Sequence, residues 1–443
     1  KDRSVVLSNK ISDKYNLDFN NLHSSFDWMN DMRNEGMRNF RNAGLPTARK
    51  GNEKWKYTNI APISEIPFDL SKSVAFNFDQ IQENFVWDKN WLNLIFINGQ
   101  LNTDLSDDID TESISIIPLN TLGDDGNMIQ DVVDCMGSLI DLPNEGFAAL
   151  NTAFLSDGII VNIPENTTYD KLINVVFFNS GDSNTISHPR VFLKVGANSK
   201  ISIMENYVGG SENTSFTNSV SEMILEENSV VKHYRLLDES DTTYDVGYGR
   251  VKLDKNSKFF SKSFFKGASI GRYDLNVLLD GEGAYCDLQG LYLTTGSQHM
   301  DNFINIDHVA PNGKSNLLYK GILDDNSRAV FGGTVMVRQS AQKTDSIQSD
   351  KNLLLSPNAE VDSKPSLYIY ADDVKCAHGA TAGNIDSETI FYMLSRGIDI
   401  EAASKMILYS FAGEIIETIE IEELRDKIET RFLNALPDYK FEF

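Results

Sequence analysis

The sequence contains few cysteines, and their positions argue against several kinds of site. It has three in 443 residues, namely Cys135, Cys286 and Cys376, which lie far apart and form no Cys-x-x-Cys pair. An odd number at such spacing argues against a disulfide framework and against a self-contained zinc or cluster site. The thiols are therefore predicted to be reduced, as they are in a cytoplasmic protein.

Long apolar runs and an excess of positive charge are also missing. No uninterrupted apolar stretch approaches the ~18 residues that a membrane helix requires, and Lys1–Ser4 are followed by no signal-peptide core. Lysine and arginine number 40 against 64 aspartates and glutamates, which gives a formal net charge of −24. Such a chain repels phosphate backbones, so we expect a cytoplasmic protein that binds neither nucleic acid nor a membrane.

What the sequence does contain is a long middle region that reads as strand after strand. From about residue 158 to residue 369 apolar and polar residues alternate, as in Lys200–Met204, and no convincing helix interrupts them. Turn signals return about every 30 residues, or at half or double that interval. They are Asn198, Asn228, Asn256, Gly281–Gly283, Asn312, Asn326 and Asn358. This period is typical of the stacked coils of a β-solenoid, whereas a β-sandwich has turns every ~8–12 residues.

Helix-like segments precede this β region. An amphipathic helix is predicted from Leu22 to Ala43, and a short helix is expected at Gly146–Leu155. Between them, Glu53–Thr58 reads as a short strand. The pair Asn98-Gly99 reads as the turn of a β-hairpin, because both residues readily adopt positive φ angles.

Three more helices are predicted after Asp386, a residue type that fits a helix N-cap. They cover Ser387–Ser395, Ile400–Ile419 and Ile421–Leu436, and they would either close the exposed end of the solenoid or dock a partner. The predicted fold class is therefore mostly β. Its parts are an N-terminal helical region (residues 1–90), a β-solenoid core (residues 91–370) and a C-terminal helical domain (residues 371–443).

One short segment carries the main chemical signal. Cys376 and His378 follow the strand-like run Leu367–Tyr370 and are two residues apart, which in an extended chain places both side chains on one face. Thiolate and imidazole can share a soft metal, but two ligands do not complete a tetrahedral site. The pair is therefore either part of a site completed from elsewhere or a half-buried cysteine beside a hydrogen-bonded histidine.

No motif for nucleotide binding or catalysis is complete. Pro311–Ser315 resembles the end of a phosphate loop, but His308 stands where the first glycine would be, so a β-turn is predicted. Gly281-Glu282-Gly283 lacks the third glycine of a dinucleotide fingerprint. His299 and Asp301 alternate on a strand without an identifiable third donor, so the histidines are interpreted as hydrogen-bonded strand residues. The sequence indicates neither a nucleotide site nor an enzyme.

Several motifs, taken together, carry a family resemblance. They are Glu53–Thr58, Leu150–Phe154, Ala341–Asp345, Asn352–Ser356, Asp372–Thr381, Ile390–Tyr392 and Ser395–Ile398. In this order they resemble the SufB/SufD family of the SUF iron–sulfur cluster assembly system. His378-Gly379-Ala380-Thr381 is similar to the SufD branch, because a SufB chain is expected to carry His-Glu-Ala-Thr there. Ala377 departs from the family, in which serine is common at this position.

The resemblance implies a right-handed parallel β-helix flanked by helices, in a non-enzymatic scaffold subunit. Such a subunit pairs through its β-helix with a SufB-like paralogue and shares with it a transient iron–sulfur cluster. Cys376 and His378 would be ligands or essential interface residues of that cluster. A SufC-like ABC ATPase would dock on the C-terminal helices, where Tyr392, Arg396 and Phe411 form or support the docking site. In isolation, a homodimer is an alternative assembly.

Two other functions are compatible with a solenoid. A carbohydrate-active β-helix enzyme would need paired carboxylates along one groove, and activity of the isolated chain on polysaccharides would reveal it. A metal-free structural homodimer is the second, and co-purification with an ATPase and a paralogue would argue against it.

Overall fold

The computed structural model of the chain describes residues 13–22, 24, 26–48, 52–72, 74–109, 111–123 and 130–437. Short 3₁₀ helices lie at Glu53–Trp55, Gln82–Asn84 and Leu119–Thr121. The α-helices of the described residues are α1 (residues 13–20), α2 (Asp27–Ala43), α3 (Ala61–Ser64), α4 (Phe78–Ile81), α5 (Gln130–Cys135), α6 (Gly146–Ala153), α7 (Ser387–Ser395), α8 (Ile400–Ile416) and α9 (Glu422–Leu433).

The strands are more numerous, and most have ten or eleven residues. They are β1 (Asp69–Leu70), β2 (Leu92–Ile97), β3 (Gln100–Leu101), β4 (Ser115–Pro118), β5 (Ile159–Ile163), β6 (Thr168–Asn179), β7 (Thr185–Ser187), β8 (Arg190–Val195), β9 (Lys200–Gly209), β10 (Ser215–Leu225), β11 (Val230–Glu239), β12 (Thr243–Leu253), β13 (Lys258–Gly267), β14 (Ile270–Leu279), β15 (Tyr285–Thr294), β16 (His299–His308), β17 (Lys314–Leu323), β18 (Arg328–Val337), β19 (Asp345–Leu354), β20 (Glu360–Ile369) and β21 (Lys375–Gly383).

Strands β5 to β21 wind into a β-solenoid of about eight turns. From β8 onward, successive strands alternate between two sheets. One sheet has the order β20-β18-β16-β14-β12-β10-β8-β5-β4, and the other has the order β21-β19-β17-β15-β13-β11-β9-β6-β2-β3. Pairing from coil to coil is parallel, and only β2–β3 and β4–β5 are antiparallel among the described pairs. The predicted solenoid is therefore confirmed.

Asparagines in the left-handed conformation form the corners between coils. Asn198, Asn228, Asn256 and Asn312 have φ angles of 59°, 58°, 54° and 60°. Asparagine tolerates this region better than other side chains do, which explains why the turn signal repeats with the coil. The amide of Asn228 also donates to Asn198 Oδ1 at 3.0 Å, so successive corners are hydrogen-bonded. The period differs at its end, where Asp325 rather than Asn326 has the positive φ angle.

Inside the solenoid, side chains from successive coils stack in columns. Val251, Val277, Ile306 and Val335 are in register and are at most 3% exposed. Each buried aliphatic side chain contributes roughly 1.5–3 kcal/mol, and no coil can bury its inner face without its neighbours. Register therefore decides which residues meet in the interior.

The N-terminal helices pack on the outer side of one sheet. Gly36 of α2 allows close contact with α6, since a Cβ atom there would lie 2.5 Å from the Ala153 nitrogen. Asn151 anchors α6 to the solenoid because its amide donates to the Pro189 and Asn218 carbonyls at 2.9 and 2.8 Å. The predicted end of α2 at Ala43 is confirmed, but the helix begins at Asp27 rather than Leu22.

The expected short strand at Glu53–Thr58 is wrong. Residues Glu53–Trp55 form a 3₁₀ turn, in which positions three apart share one side. Trp55 and Thr58 therefore both face the solenoid, where the Trp55 ring lies 3.9 Å from the Arg272 guanidinium carbon. The alternation of aromatic and charged residues reflects this docking and not a sheet.

The C-terminal helices lie along the flank of the solenoid, on the outer face of the sheet that contains β11, β13, β15 and β17. Phe432 packs against Phe264 with ring centroids 5.6 Å apart, and Lys320 of β17 donates to the Phe411 carbonyl at 2.7 Å. The boundaries of α7 match those predicted, while α8 and α9 are slightly shorter than predicted. Because these contacts lie on the flank, the first of the two expected roles, closure of the exposed end of the solenoid, is not the one that these helices adopt.

None of the described helices is long and apolar enough to cross a bilayer. The predicted cytoplasmic location stays a prediction. The same is true of the predicted domain boundaries at residues 90 and 370. The strand pairing itself continues past residue 370 through β21 to Gly383.

Candidate functional site

The solenoid ends in two strands that each have one free edge. Strand β21 pairs with β19 and strand β20 pairs with β18, and no described strand lies on their other sides. A free strand edge presents main-chain donors and acceptors that can pair with another chain. The last coil is therefore an available interface.

Cys376 and His378 lie on this free-edge strand. They alternate along β21 opposite Ser346 and Gln348 of β19, so both side chains are on the face that points toward the solenoid interior. Cys376 is half-buried and packs against the interior core, while His378 is exposed. The structure thus brings the two residues together on one face of one strand, at an accessible end.

The environment of the Cys376 thiol favours its protonated form. Burial, followed by the negative charge of Asp345, raises the pKa of Cys376, whereas a hydrogen bond from the Ser346 main chain lowers it. A thiol coordinates a metal as the thiolate, so a soft metal would have to displace this proton. Thiolate and imidazole together are donors that fit iron in a cluster.

The ligand set on this chain is incomplete. Among the described residues, no group of three or more histidine, cysteine, aspartate and glutamate side chains is placed to hold a metal. Cys376 and His378 supply two donors, and a tetrahedral iron site needs more than two.

Exposed apolar side chains surround the free edges of the last coil. Ile347 of β19 is 55% exposed, Tyr368 of β20 is 49% exposed, and Tyr370, which directly follows β20, is 60% exposed. Ile347 is in register with Ala377, so it lies beside the free-edge strand on its outer face. Apolar patches of this kind mark protein–protein contacts.

A second exposed apolar patch lies on α7 and α8. Phe391, Tyr392 and Met406 are 72%, 59% and 54% exposed, and the Arg396 guanidinium lies 5.0 Å from the Tyr392 ring centroid. Phe411 is different because it is half-buried, with Lys320 Nζ 4.1 Å from its ring centroid. Tyr392 and Arg396 are accessible to a partner, whereas Phe411 fixes α8 to the solenoid.

The other histidines singled out in the sequence have structural partners. His299 faces outward and its Nε2 lies 2.9 Å from Thr58 Oγ1, within the docked N-terminal segment. His308 faces the interior, and its Nε2 lies 2.8 Å from Ser315 Oγ. The two histidines point to opposite sides of their sheet and do not converge on one site. Their interpretation as hydrogen-bonded strand residues is confirmed.

The sequence interpretation missed the residues beneath the candidate site. Ser346 and Gln348 of β19 are buried directly under Cys376 and His378. Ser346 precedes Cys376 by one coil, as does Gln348 relative to His378. Counting back one coil period from Cys376 and from His378 would have identified both residues.

Comparisons with known proteins agree with this architecture. The domain described as "SUF system FeS cluster assembly, SufBD core domain" matches residues 177–411, and the "SufBD protein N-terminal region" matches residues 9–175. An iron–sulfur cluster assembly SufBD family protein of Synechocystis sp. is 30% identical over 394 residues, which cover 87% of this chain and 86% of that protein.

Two similar proteins are named SufD. The iron–sulfur cluster assembly protein SufD of Escherichia coli is 28% identical over 89% of this chain and 90% of its own length. The protein of the same name from Bacillus subtilis is 23% identical over 96% of this chain and 98% of its own length. The solenoid, its two flanking helical regions and these matches over almost the whole sequence lead to one conclusion: the chain belongs to the SufBD family and has a role in iron–sulfur cluster assembly.

Proposed function

We propose that this chain is a non-enzymatic SufD-type scaffold subunit on which a nascent iron–sulfur cluster is assembled. Cys376 and His378 ligate the cluster from this side, and a SufB-like paralogue supplies the remaining ligands. The cluster is cargo that is held transiently and then passed on. The alternatives of a carbohydrate-active enzyme and a metal-free homodimer have no comparable support.

The observation that carries the proposal is the position of the two donors on an unpaired strand. A ligand pair in the middle of the solenoid would be closed off by neighbouring coils, whereas β21 has no neighbour on one side. A second chain that pairs with this edge brings its own side chains within reach of Cys376 and His378. The apolar rim at Ile347, Tyr368 and Tyr370 supplies contact area for that pairing.

The second apolar patch is the proposed docking site of a SufC-like ABC ATPase. Tyr392 and Arg396 contact the ATPase, and Phe411 transmits its position to the solenoid. Lys320 links the two parts because it bonds to the Phe411 carbonyl and to the Glu414 carboxylate. Closure of two ATPase subunits on ATP would move the helices of both scaffold subunits and open the interface at β21.

The test is a His378→Ala variant reconstituted with the paralogue and the ATPase. The complex should assemble as in the wild type, because His378 is exposed and contributes no core packing. Cluster formation, followed by visible absorbance and bound iron, should fall by at least about tenfold, since losing a ligand or its partner costs about that factor.

Lys375→Ala is the matched control because it changes an exposed residue of the same strand on the opposite face. It should leave both assembly and cluster yield unchanged. An undiminished cluster yield in the His378→Ala complex would remove His378 from the ligand set.

A further inference from the structure

A carboxyl group is buried near the open end of the solenoid without a basic partner among the described residues. Asp350 of β19 is 0% exposed, and no described lysine, arginine or histidine forms an ion pair with it. Burial raises the pKa of Asp350 to about 6, so the group is ionised at about pH 7.5. An ionised group in a protein interior is normally paired with a charge or coordinated to a metal.

Hydrogen bonds hold this carboxylate by one of its two oxygens. Asn352 Nδ2 donates to Asp350 Oδ2 at 2.9 Å, and the Tyr292 hydroxyl donates to Asn352 Oδ1. Asp350 Oδ1 is buried and has no hydrogen-bond partner within the described part of the chain. Metal-binding carboxylates are oriented by hydrogen bonds in this way, because one oxygen must stay free for the ion.

A buried amide lies beside the free oxygen. Gln348 is two residues before Asp350 on the same face of β19 and is 1% exposed. Neither Oε1 nor Nε2 of Gln348 has a hydrogen-bond partner among the residues that the structure describes. Gly333 makes room for this amide, since a Cβ atom there would overlap Gln348 Nε2. Buried polar groups are almost always paired, so the amide indicates a polar ligand next to it.

The chemistry of the two side chains indicates which ligand fits. Asp350 Oδ1 and Gln348 Oε1 are hard oxygen donors on positions about 6.6 Å apart along the strand. Both can reach one ion at metal–oxygen distances of about 2.0–2.6 Å. A divalent cation held by a single carboxylate keeps several water ligands, and Gln348 Nε2 can donate to one of them.

This pair lies directly under the proposed cluster ligands. His378 is in register with Gln348 one coil further on, and Ala380, with only a methyl group, is in register with Asp350. We propose that Asp350 and Gln348 form a hydrated divalent-cation site that holds ferrous iron one coil below His378, before the iron reaches the cluster ligands. The identity of the ion as iron rests on the proposed function.

The test uses the full chain without iron and Mn²⁺ as the probe, because Mn²⁺ prefers oxygen ligands and is stable in air. Binding at about pH 7.5 is followed by EPR spectroscopy, in which the signal of free Mn²⁺ falls as the ion binds. The wild type should show a single saturable site. Asp350→Asn keeps the shape of the side chain but removes its charge, and it should weaken binding at least about tenfold. Tyr292→Phe should cause a smaller loss.

Two controls locate the bound ion. Asp245→Asn also removes a buried interior carboxyl group, but Asp245 is paired with Arg235 at 3.6 Å, so the Mn²⁺ affinity should not change. A double variant, Cys376→Ala with His378→Ala, should bind Mn²⁺ as the wild type does. A lower affinity in the double variant would place the ion at the exposed pair and overturn the interior site.

Thermal unfolding with and without Mn²⁺ checks that each variant is folded. Mn²⁺ should raise the unfolding midpoint of the wild type but not that of Asp350→Asn. The absence of saturable binding in the wild type, or an unchanged affinity in Asp350→Asn, would overturn the site.

Competition in the double variant identifies the natural occupant. Under anaerobic conditions Fe²⁺ should displace Mn²⁺ at comparable concentration, because its affinity for such ligands is higher, whereas Mg²⁺ should require a large excess. Displacement by Mg²⁺ at equal or lower concentration than Fe²⁺ would overturn the assignment to iron. Mn²⁺ binding involves no cluster formation, so a failure of this site is distinguishable from a failure of the proposed function.

Discussion

At the scale of single residues, the solenoid interior surrounds one carboxyl group with an environment that favours its protonated form. Glu239 is 3% exposed, accepts a hydrogen bond from Thr217 Oγ1 at 2.7 Å, and has a second oxygen without a partner. Burial, followed by the nearby charge of Asp245, raises the pKa of Glu239 well above its ordinary value. The folded state therefore binds this proton more tightly than the unfolded state does.

This difference predicts how stability depends on pH. Between the ordinary pKa of glutamate and the raised one, the folded state holds more protons, so this residue's contribution to stability falls as pH rises. Glu239→Gln, a neutral isostere, should remove that loss and raise the free energy of unfolding at pH 8 by an amount on the order of 1 kcal/mol. Urea unfolding at about pH 5 and pH 8 measures the effect.

A surface glutamate in the turn before β11 provides the control. Glu227 forms a surface ion pair with Lys255, so Glu227→Gln should change stability little at either pH. A Glu239→Gln variant that is less stable than the wild type at pH 8 would contradict the raised pKa of this carboxyl group.

At the scale of elements, the crossing of α2 and α6 depends on one missing side chain. A Cβ atom at Gly36 would lie 2.5 Å from the Ala153 nitrogen and 2.9 Å from the Ala149 carbonyl oxygen. Backbone atoms cannot move aside as a flexible side chain can, so the helices would have to separate. Gly36→Ala should lower the free energy of unfolding by roughly 1–3 kcal/mol.

A second helical glycine is the matched control for this prediction. A Cβ atom at Gly413 in α8 would meet only the Glu417 side chain, at 3.1 Å. Gly413→Ala should therefore be neutral or stabilising by up to about 1 kcal/mol through helix propensity. If both variants have the same thermal unfolding midpoint, the close packing of α2 on α6 does not require glycine at position 36.

The element scale also explains the family motifs that lie outside the candidate site. Asn151 in the motif Leu150–Phe154 holds α6 against two carbonyl groups of the solenoid, and Trp55 and Thr58 in the motif Glu53–Thr58 hold the N-terminal segment against β14 and β16. These residues act by docking one element on another. These two motifs therefore indicate structure and not chemistry.

At the scale of the whole molecule, the two exposed apolar patches face different partners in the proposed complex. Tyr370 belongs to the rim of the last coil, and Tyr392 belongs to the patch on α7 and α8. A charged residue in either patch costs binding free energy because it is desolvated on association. Tyr370→Glu should weaken pairing with the SufB-like paralogue at least tenfold and leave ATPase binding unchanged. Tyr392→Glu should weaken ATPase binding at least tenfold and leave pairing with the SufB-like paralogue unchanged.

The two variants serve as controls for each other in pull-down and equilibrium binding measurements. Loss of both partners in either variant would indicate misfolding or a single shared surface. Loss of neither partner would argue against both docking assignments.

The sequence by itself determined where the turns between the coils of the solenoid lie. Asparagines about 30 residues apart predict the turns because the left-handed conformation is a local preference, and Asn198, Asn228, Asn256 and Asn312 adopt it. The two-residue spacing of Cys376 and His378 likewise predicted their common face, since alternation is a property of any strand. Local stereochemistry is sufficient for such features.

Tertiary structure decided what the coils and helices are packed against. The sequence did not reveal that Ser315 and Ser346 lie under Cys376, because residues separated by whole coils meet only when the register is fixed. Nor did it reveal that α8 lies along the flank, tied to Lys320, and leaves the last coil open. Both depend on the fit of surfaces that are distant along the chain, and a local pattern contains no information about that fit.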